Sequence, residues 1–176
     1  DIIFRNVPSG LGSRRKDFRV TPHDLDRIVT EGVKGMINEG FGWPEDADHC
    51  EEEGRMGDAD PNWVSPAAKS RGLNQIGTLG SGNHFLEVQK VDKIYNTQAA
   101  KAFGINEEDQ VTVMIHCGSR GYGHQICSDY LRLMERATHK YKIDLPDREL
   151  ACAPGRSEEA HEYYKAMACA VNFAFV

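Results

Sequence analysis

His84 and His116 each lie inside a glycine-rich run. The runs are Gly77-Thr78-Leu79-Gly80-Ser81-Gly82-Asn83-His84-Phe85 and His116-Cys117-Gly118-Ser119-Arg120-Gly121-Tyr122-Gly123-His124-Gln125. Glycine lets a backbone come close to a ligand, and neutral imidazole is a common transition-metal ligand. Two histidines presented in this way point to one metal site built from two loops. Arg120 stands at i+4 from His116, and its guanidinium fork suits bidentate phosphate binding. Asn83 adds an amide able to hold a phosphate oxygen or orient a water. Together these residues predict metal-assisted phosphate chemistry.

Each residue taken alone has a plainer reading. A histidine after an asparagine is more often a hydrogen-bonded loop residue than a ligand. His116 alone could be a satisfied buried histidine, and Arg120 a surface arginine in an ion pair. The joint pattern favours function, because two histidines share the same glycine-loop setting. His116 also closes an apolar strand, a usual place for functional groups in open sheets. Phe85 and Glu87 fall on one face if their segment is a strand. There Phe85 could stack on a base while Glu87 accepts its hydrogen bonds; a solvent-facing carboxylate is the plainer reading of Glu87. Cys117 reads as a small buried residue, His49-Cys50 as part of a solvated acidic loop, and His139 and His161 as surface residues. His124 is close enough to the second loop to support a residue of the site.

The elements that position these residues follow from punctuation and periodicity. Phe4 to Gly12 is loop-rich. Thr21-Pro22 predicts a helix start, with Thr as N-cap and Pro at the first helical position. Leu25, Ile28, Val29, Val33, Met36 and Ile37 keep helical spacing up to a stop at Gly40. Gly42 to Pro61 is acidic and irregular. Ser65-Pro66 opens a short basic helix through Arg71, followed by a loop from Gly72 to Gly82. Phe85 to Val91 alternates as a strand, and Asn96 to Phe103 is a short helix stopped by Gly104. Val111 to Ile115 is a β-branched run that predicts a buried strand. A long helix from about Gly123 to Tyr141 follows its glycine turn, an order that aims amides at an anion. A last helix runs from about Ser157 to the end, with Glu158 and Glu159 in its first turn.

Bulk composition bounds the rest. The 176 residues are 40% hydrophobic, enough for a packed globule and against wholesale disorder. A net charge of −6 is not that of a basic nucleic-acid module. RNA, if handled, would meet a local site where metal ions and a few arginines supply positive charge. No apolar run approaches the roughly 20 residues of a membrane helix, and no signal peptide is evident. Five cysteines without a CxxC pair argue for a reducing compartment, cytoplasmic or nuclear. An Asp at position 1 and an apolar, helix-like end at Ala170 to Val176 read as a piece of a longer chain.

At the two glycine runs the chain resembles the RtcB family of RNA-splicing ligases. Gly77-Thr-Leu-Gly-Ser-Gly-Asn-His84-Phe is similar to that family's GTLGxGNHF-type motif. Met114-Ile-His-Cys-Gly-Ser-Arg-Gly-Tyr-Gly-His-Gln125 is similar to its HSGSRGxGHQ-type motif. His49-Cys-Glu-Glu-Glu-Gly-Arg-Met56, Ala59-Asp-Pro-Asn62 and Leu150-Ala-Cys-Ala153 resemble eukaryotic members. The resemblance spans essentially all of residues 1–176, which it identifies as the central portion of a single catalytic domain. It implies an α+β fold with mixed β-sheets and surrounding helices about a central cleft.

It further implies an enzyme joining RNA 2′,3′-cyclic phosphate or 3′-phosphate ends to 5′-hydroxyl ends. The cofactors would be two manganese ions, bridged by a cysteine, and GTP, which guanylylates a histidine. Partners would be tRNA halves, in animals a stress-response mRNA, an archease-like activator, and subunits of a tRNA ligase complex. By position, His84 and His116 match metal-ligand histidines. Asn83 matches the asparagine that contacts nucleotide phosphate or a metal-bound oxygen. Phe85 and Glu87 match positions near the guanine, and Arg120 matches the arginine placed for RNA phosphate. The bridging cysteine with its aspartate belongs upstream of Asp1. A further metal histidine and the guanylylated histidine belong downstream of Val176, so residues 1–176 alone are expected to be inactive. Cys117 departs from the small hydroxyl residue of the family motif and sets a thiol beside a metal ligand. Two other readings compete: a non-catalytic RNA-binding or scaffold subunit that kept the fold, and a metal-dependent phosphodiesterase that needs no GTP.

Overall fold

Thr21 starts the first core helix by a reciprocal cap. Its Oγ accepts from the Asp24 amide at 3.2 Å, and its own amide donates to Asp24 Oδ2 at 2.9 Å. Two otherwise orphaned donors are thereby satisfied. The computed structural model describes residues 2–15 and 19–176. In it a short helix α1 (Ile2–Asn6) precedes α2 (Pro22–Glu31), α3 (Val33–Asn38), α4 (Pro66–Leu73), β1 (Phe85–Lys90), α5 (Thr97–Ala102), β2 (Val111–His116), α6 (Arg120–Lys140) and α7 (Glu158–Phe175).

The periodicity from Leu25 to Ile37 predicts one helix, but the chain makes two. Gly32, at φ +62, breaks it. A Cβ there would stand 2.2 Å from the Gly54 carbonyl oxygen, and one on Gly54 would meet the Val33 side chain at 2.6 Å. The two glycines therefore let the 3-10 turn Glu51–Gly54 cross the helix junction at backbone contact. The acidic stretch expected to be irregular forms this turn and two others, Pro44–His49 and Pro61–Trp63.

Helices α2, α4, α6 and α7 enclose the core. Leu25, Ile28, Val29, Ala68, Tyr122, Ile126, Ala166, Cys169 and Phe173 pack there. Each large aliphatic side chain so buried contributes about 1.5–3 kcal/mol. Gly72 of α4 lets α6 approach, since a Cβ there would be 2.7 Å from the Tyr122 ring. Tyr122 in turn stacks on Phe173 with ring centroids 4.8 Å apart. This bundle holds the start of α6, and hence Arg120, in place.

One buried polar residue ties the bundle to the acidic segment. Asn172 Nδ2 donates to the Val29 carbonyl at 2.8 Å and to the Met56 carbonyl at 3.1 Å, and Oδ1 accepts from the Met56 amide at 2.7 Å. Its side chain is fully buried. Asn172→Ala strands all three backbone groups in the dry interior and is expected to cost about 3 kcal/mol. Urea unfolding measures this; a loss under about 1 kcal/mol would show that water replaces the amide there.

Strands β1 and β2 form one antiparallel pair, with Phe85 opposite His116, Glu87 opposite Met114 and Gln89 opposite Thr112. Helices and this sheet together make the α+β fold that the sequence predicts. An isolated parallel bridge joins Ser9 to Gly80, so the loop-rich segment after α1 lies against the first glycine run. The expected burial of β2 does not hold. Val111, Val113 and Ile115 are 68%, 61% and 62% exposed, and Val88 across from Val113 is 58% exposed. The β-branched run makes the strand, but no layer covers that face among the described residues. The strand expected to Val91 ends at Lys90, and α5 lies within the Asn96–Phe103 stretch assigned to a helix. Helix α6 begins at Arg120, three residues before the expected Gly123, and Arg120 takes a left-handed φ of +53 at its start.

Candidate functional site between two glycine loops

The sheet register fixes the first part of the site. Because Phe85 faces His116, the residue before β1 and the last residue of β2 meet at one end of the pair. His84 and His116 rings lie with centroids 5.9 Å apart, tilted at 58°. Phe85 meets His116 edge-on at 5.3 Å. The two histidines predicted to share a site are therefore neighbours. Phe85 and Glu87 share a face, as alternation requires. Glu87 is exposed and accepts from Gln89 Nε2 at 2.8 Å. Asn83 is exposed one residue before His84.

Gly80 brings the third component in. It adopts φ +109, and a Cβ on it would stand 2.3 Å from His84 Nδ1 and 2.6 Å from the Arg120 guanidinium carbon. Arg120 and His84 therefore both close over one bare backbone position. Gly80→Ala should add about 1–3 kcal/mol of backbone strain and push both side chains away. We expect the His84 ring resonances to move in NMR spectra while the melting profile of the helical core changes little. Unmoved resonances would contradict this packing.

Arg120 is partly buried, and its NH1 donates to the Thr78 carbonyl at 2.7 Å and to Thr78 Oγ at 3.1 Å. Thr78 Oγ donates to the Gln75 carbonyl at 2.7 Å, and Gln75 Oε1 accepts from the Gly121 amide at 2.8 Å. The start of α6 thus has one amide already engaged by a side chain, not directed at an anion as the strand-turn-helix order predicts. Sequence reasoning did not single out Thr78 and Gln75. The available signal was a threonine inside a glycine run, but its partner lies across the fold.

His84 Nδ1 is shut off from solvent and has no hydrogen-bond partner among the described residues. Burial, followed by the charges of Arg120 and His116, holds the His84 imidazole below the usual histidine range. It is therefore neutral at pH 7, the state in which a ring nitrogen can ligate a metal. An orphaned ring nitrogen beside a second imidazole fits a divalent transition-metal cation that accepts nitrogen donors. The pair is only part of such a donor set: among the described residues no group of three or more His, Cys, Asp and Glu is placed to hold a metal.

Cys117 is not the buried residue expected. It is exposed, and its thiol donates to the Leu79 carbonyl at 2.9 Å, a further link between the two loops. His124 Nδ1 lies 3.3 Å from Arg71 NH1, which also donates to Gln125 Oε1 at 3.2 Å. His124 is thus linked to α4, one turn along α6 from Arg120.

Fold and geometry define an α+β chain whose candidate site lies where two glycine loops meet at the end of an antiparallel strand pair. It belongs to the RtcB family: the profile described as tRNA-splicing ligase RtcB matches residues 1–176. The chain is 58% identical over 173 residues to the tRNA-splicing ligase RtcB of Methanococcus maripaludis, covering 98% of this chain and 36% of that one. It is 54% identical over 173 residues to that of Methanocaldococcus jannaschii, covering 98% of this chain and 18% of that one. It is 54% identical over 175 residues to that of Thermococcus kodakarensis, covering 99% of this chain and 36% of that one. The chain therefore spans about a third or less of the length of these curated relatives. No helix among the described residues is long and apolar enough to cross a membrane.

Proposed function

We propose that residues 1–176 carry part of the active site of an RNA ligase acting in tRNA splicing and RNA repair. The whole protein would join 2′,3′-cyclic phosphate or 3′-phosphate RNA ends to 5′-hydroxyl ends, using manganese and GTP through a guanylylated histidine. The observation that carries this reading is the His84–His116 pair, 5.9 Å apart, with His84 Nδ1 unpartnered and Arg120 beside it over Gly80. Membership of a family whose relatives are named tRNA-splicing ligases supports the reaction class.

His84 and His116 would each offer a ring nitrogen to manganese. Such ions, when bound, would supply positive charge to an in-line phosphoryl displacement. Arg120 would hold the RNA terminal phosphate through the guanidinium edge not engaged by Thr78. Asn83 would contact nucleotide phosphate, while Phe85 and Glu87 would lie near the guanine, Glu87 accepting from it. The remaining metal ligands and the nucleotide-accepting histidine would come from polypeptide outside this span. The partners of the whole protein would be tRNA halves, an archease-like activator and subunits of a tRNA ligase complex, inside the cell.

The test supplies the full-length protein with manganese, GTP, one RNA ending in a 2′,3′-cyclic phosphate and another starting with a 5′-hydroxyl. Joined RNA that disappears when GTP is withheld is expected. Ring opening without joining, indifferent to GTP, would instead mark a phosphodiesterase. RNA binding with no turnover would mark a scaffold.

A further inference from the structure

Arg120 is held from two directions, and both anchors come from the loop that carries His84. Its side chain is fixed by Thr78, whose carbonyl and Oγ both accept from NH1, at 2.7 and 3.1 Å. Its backbone is fixed by Gln75, whose Oε1 accepts from the amide of the next residue, Gly121, at 2.8 Å. The anchors are coupled to each other. Thr78 Oγ donates its single proton to the Gln75 carbonyl at 2.7 Å, and the Thr78 amide donates to the same carbonyl at 3.2 Å. With that proton committed, the hydroxyl can offer Arg120 only lone pairs. Thr78 is 8% exposed, so water competes little for these bonds.

The arrangement also accounts for an unfavourable backbone. Arg120 stands at φ +53, a left-handed conformation that costs a non-glycine residue about 1–2 kcal/mol. Such a conformation persists only where its surroundings over-determine it. With NH1 taken by Thr78, the Nε and NH2 groups make no hydrogen bond to the described residues. That edge is the one suited to two oxygens of a tetrahedral phosphate.

We infer that Thr78 and Gln75 are positioning residues, which together hold the Arg120 guanidinium at a fixed angle so that its free edge receives the RNA terminal phosphate. Neither residue touches the phosphate itself. The inference rests on Arg120 serving the joining step, as proposed above. A fixed arginine acts mainly on the rate of the aligned step, because misplacement of a reacting group by about 1 Å can cost on the order of a hundredfold.

The experiment uses the full-length protein and separates guanylylation from joining, with kcat and RNA KM measured for the latter. Thr78→Val keeps the shape and removes the hydroxyl; Gln75→Met removes the acceptor for the Gly121 amide. Both are expected to guanylylate normally, melt within a few degrees of the parent, and lose about tenfold to a hundredfold in joining kcat with little change in KM. Thr78→Ser keeps both hydroxyl bonds and should join at the parent rate. Thr78→Val combined with Arg120→Ala should be no worse than Arg120→Ala alone. If Arg120→Ala is impaired while Thr78→Val and Gln75→Met join normally, or if the losses multiply in the double variant, the positioning role is overturned and the role of Arg120 stands. Equal losses of guanylylation, joining and melting temperature in both variants would reduce Thr78 and Gln75 to structural residues and overturn it too. If Arg120→Ala joins RNA normally, the reading of Arg120 falls and the positioning role falls with it.

Discussion

Full-length protein carrying His84→Ala is expected to form no guanylyl adduct and to bind manganese with lower stoichiometry or affinity. His84 offers a ring nitrogen that is sealed from solvent, unpartnered and on an imidazole kept neutral by burial and by neighbouring charge. A buried polar atom left without a bond costs roughly 1–3 kcal/mol, so its retention calls for a partner beyond the described residues. Losing a group that merely orients a metal ligand typically costs 10–100-fold in metal affinity or activity. Loss of the ligand itself should exceed that. His116→Ala should behave alike, because its ring lies 5.9 Å from that of His84 and would belong to the same set. Adduct formation and metal binding are read separately, the first by labelled GTP and the second by metal analysis after desalting. Normal values of both in either variant would remove the metal assignment, and the two rings would then be a packing contact.

Arg120→Ala should have the opposite profile. Guanylylation should stay within a few-fold of the parent, while joining of a 3′-phosphate end to a 5′-hydroxyl falls about a hundredfold or more. The size follows from the loss of a fixed, charged donor at a phosphate whose charge rearranges during transfer, for which single-donor deletions typically cost 10²–10³ in kcat. The profile follows from placement. Arg120 projects from the start of α6 across Gly80, and its one engaged nitrogen is bound to Thr78. Phe85 and Glu87, the residues proposed for guanine, lie on the strand face beyond His84. Separate kinetics for the adduct and for the joined RNA decide the matter. An equal fall in both would move Arg120 into the nucleotide site.

Much of this arrangement is legible in the sequence, and the exceptions have physical causes. Caps are local, so Thr21-Pro22, Ser65-Pro66 and Ser157 mark helix starts that the structure reproduces. The two histidines come together because a strand begins just after one and ends at the other, and antiparallel pairing does the rest. The break at Gly32 is not local. Helical periodicity continues through it, and only the Gly54 backbone, packed against it from a distant turn, shows why a glycine stands there. The exposure of β2 has a related cause. Val111 to Ile115 has the composition of a strand, but composition does not say whether a second layer lies over its apolar face. Cys117 is exposed where its residue type suggests burial, because its thiol is satisfied by the Leu79 carbonyl at the surface. The Thr78–Gln75 link to Arg120 pairs side chains with backbone groups across the fold, and a backbone partner leaves no mark in residue type.

The most direct test of the central claim is to incubate the full-length protein with manganese and α-labelled GTP, then look for acid-stable label on the protein. The account predicts a label that requires manganese, disappears in His84→Ala and His116→Ala, and persists in Arg120→Ala. A folded protein that takes up no label with any divalent metal, or that labels equally well without His84, would contradict it.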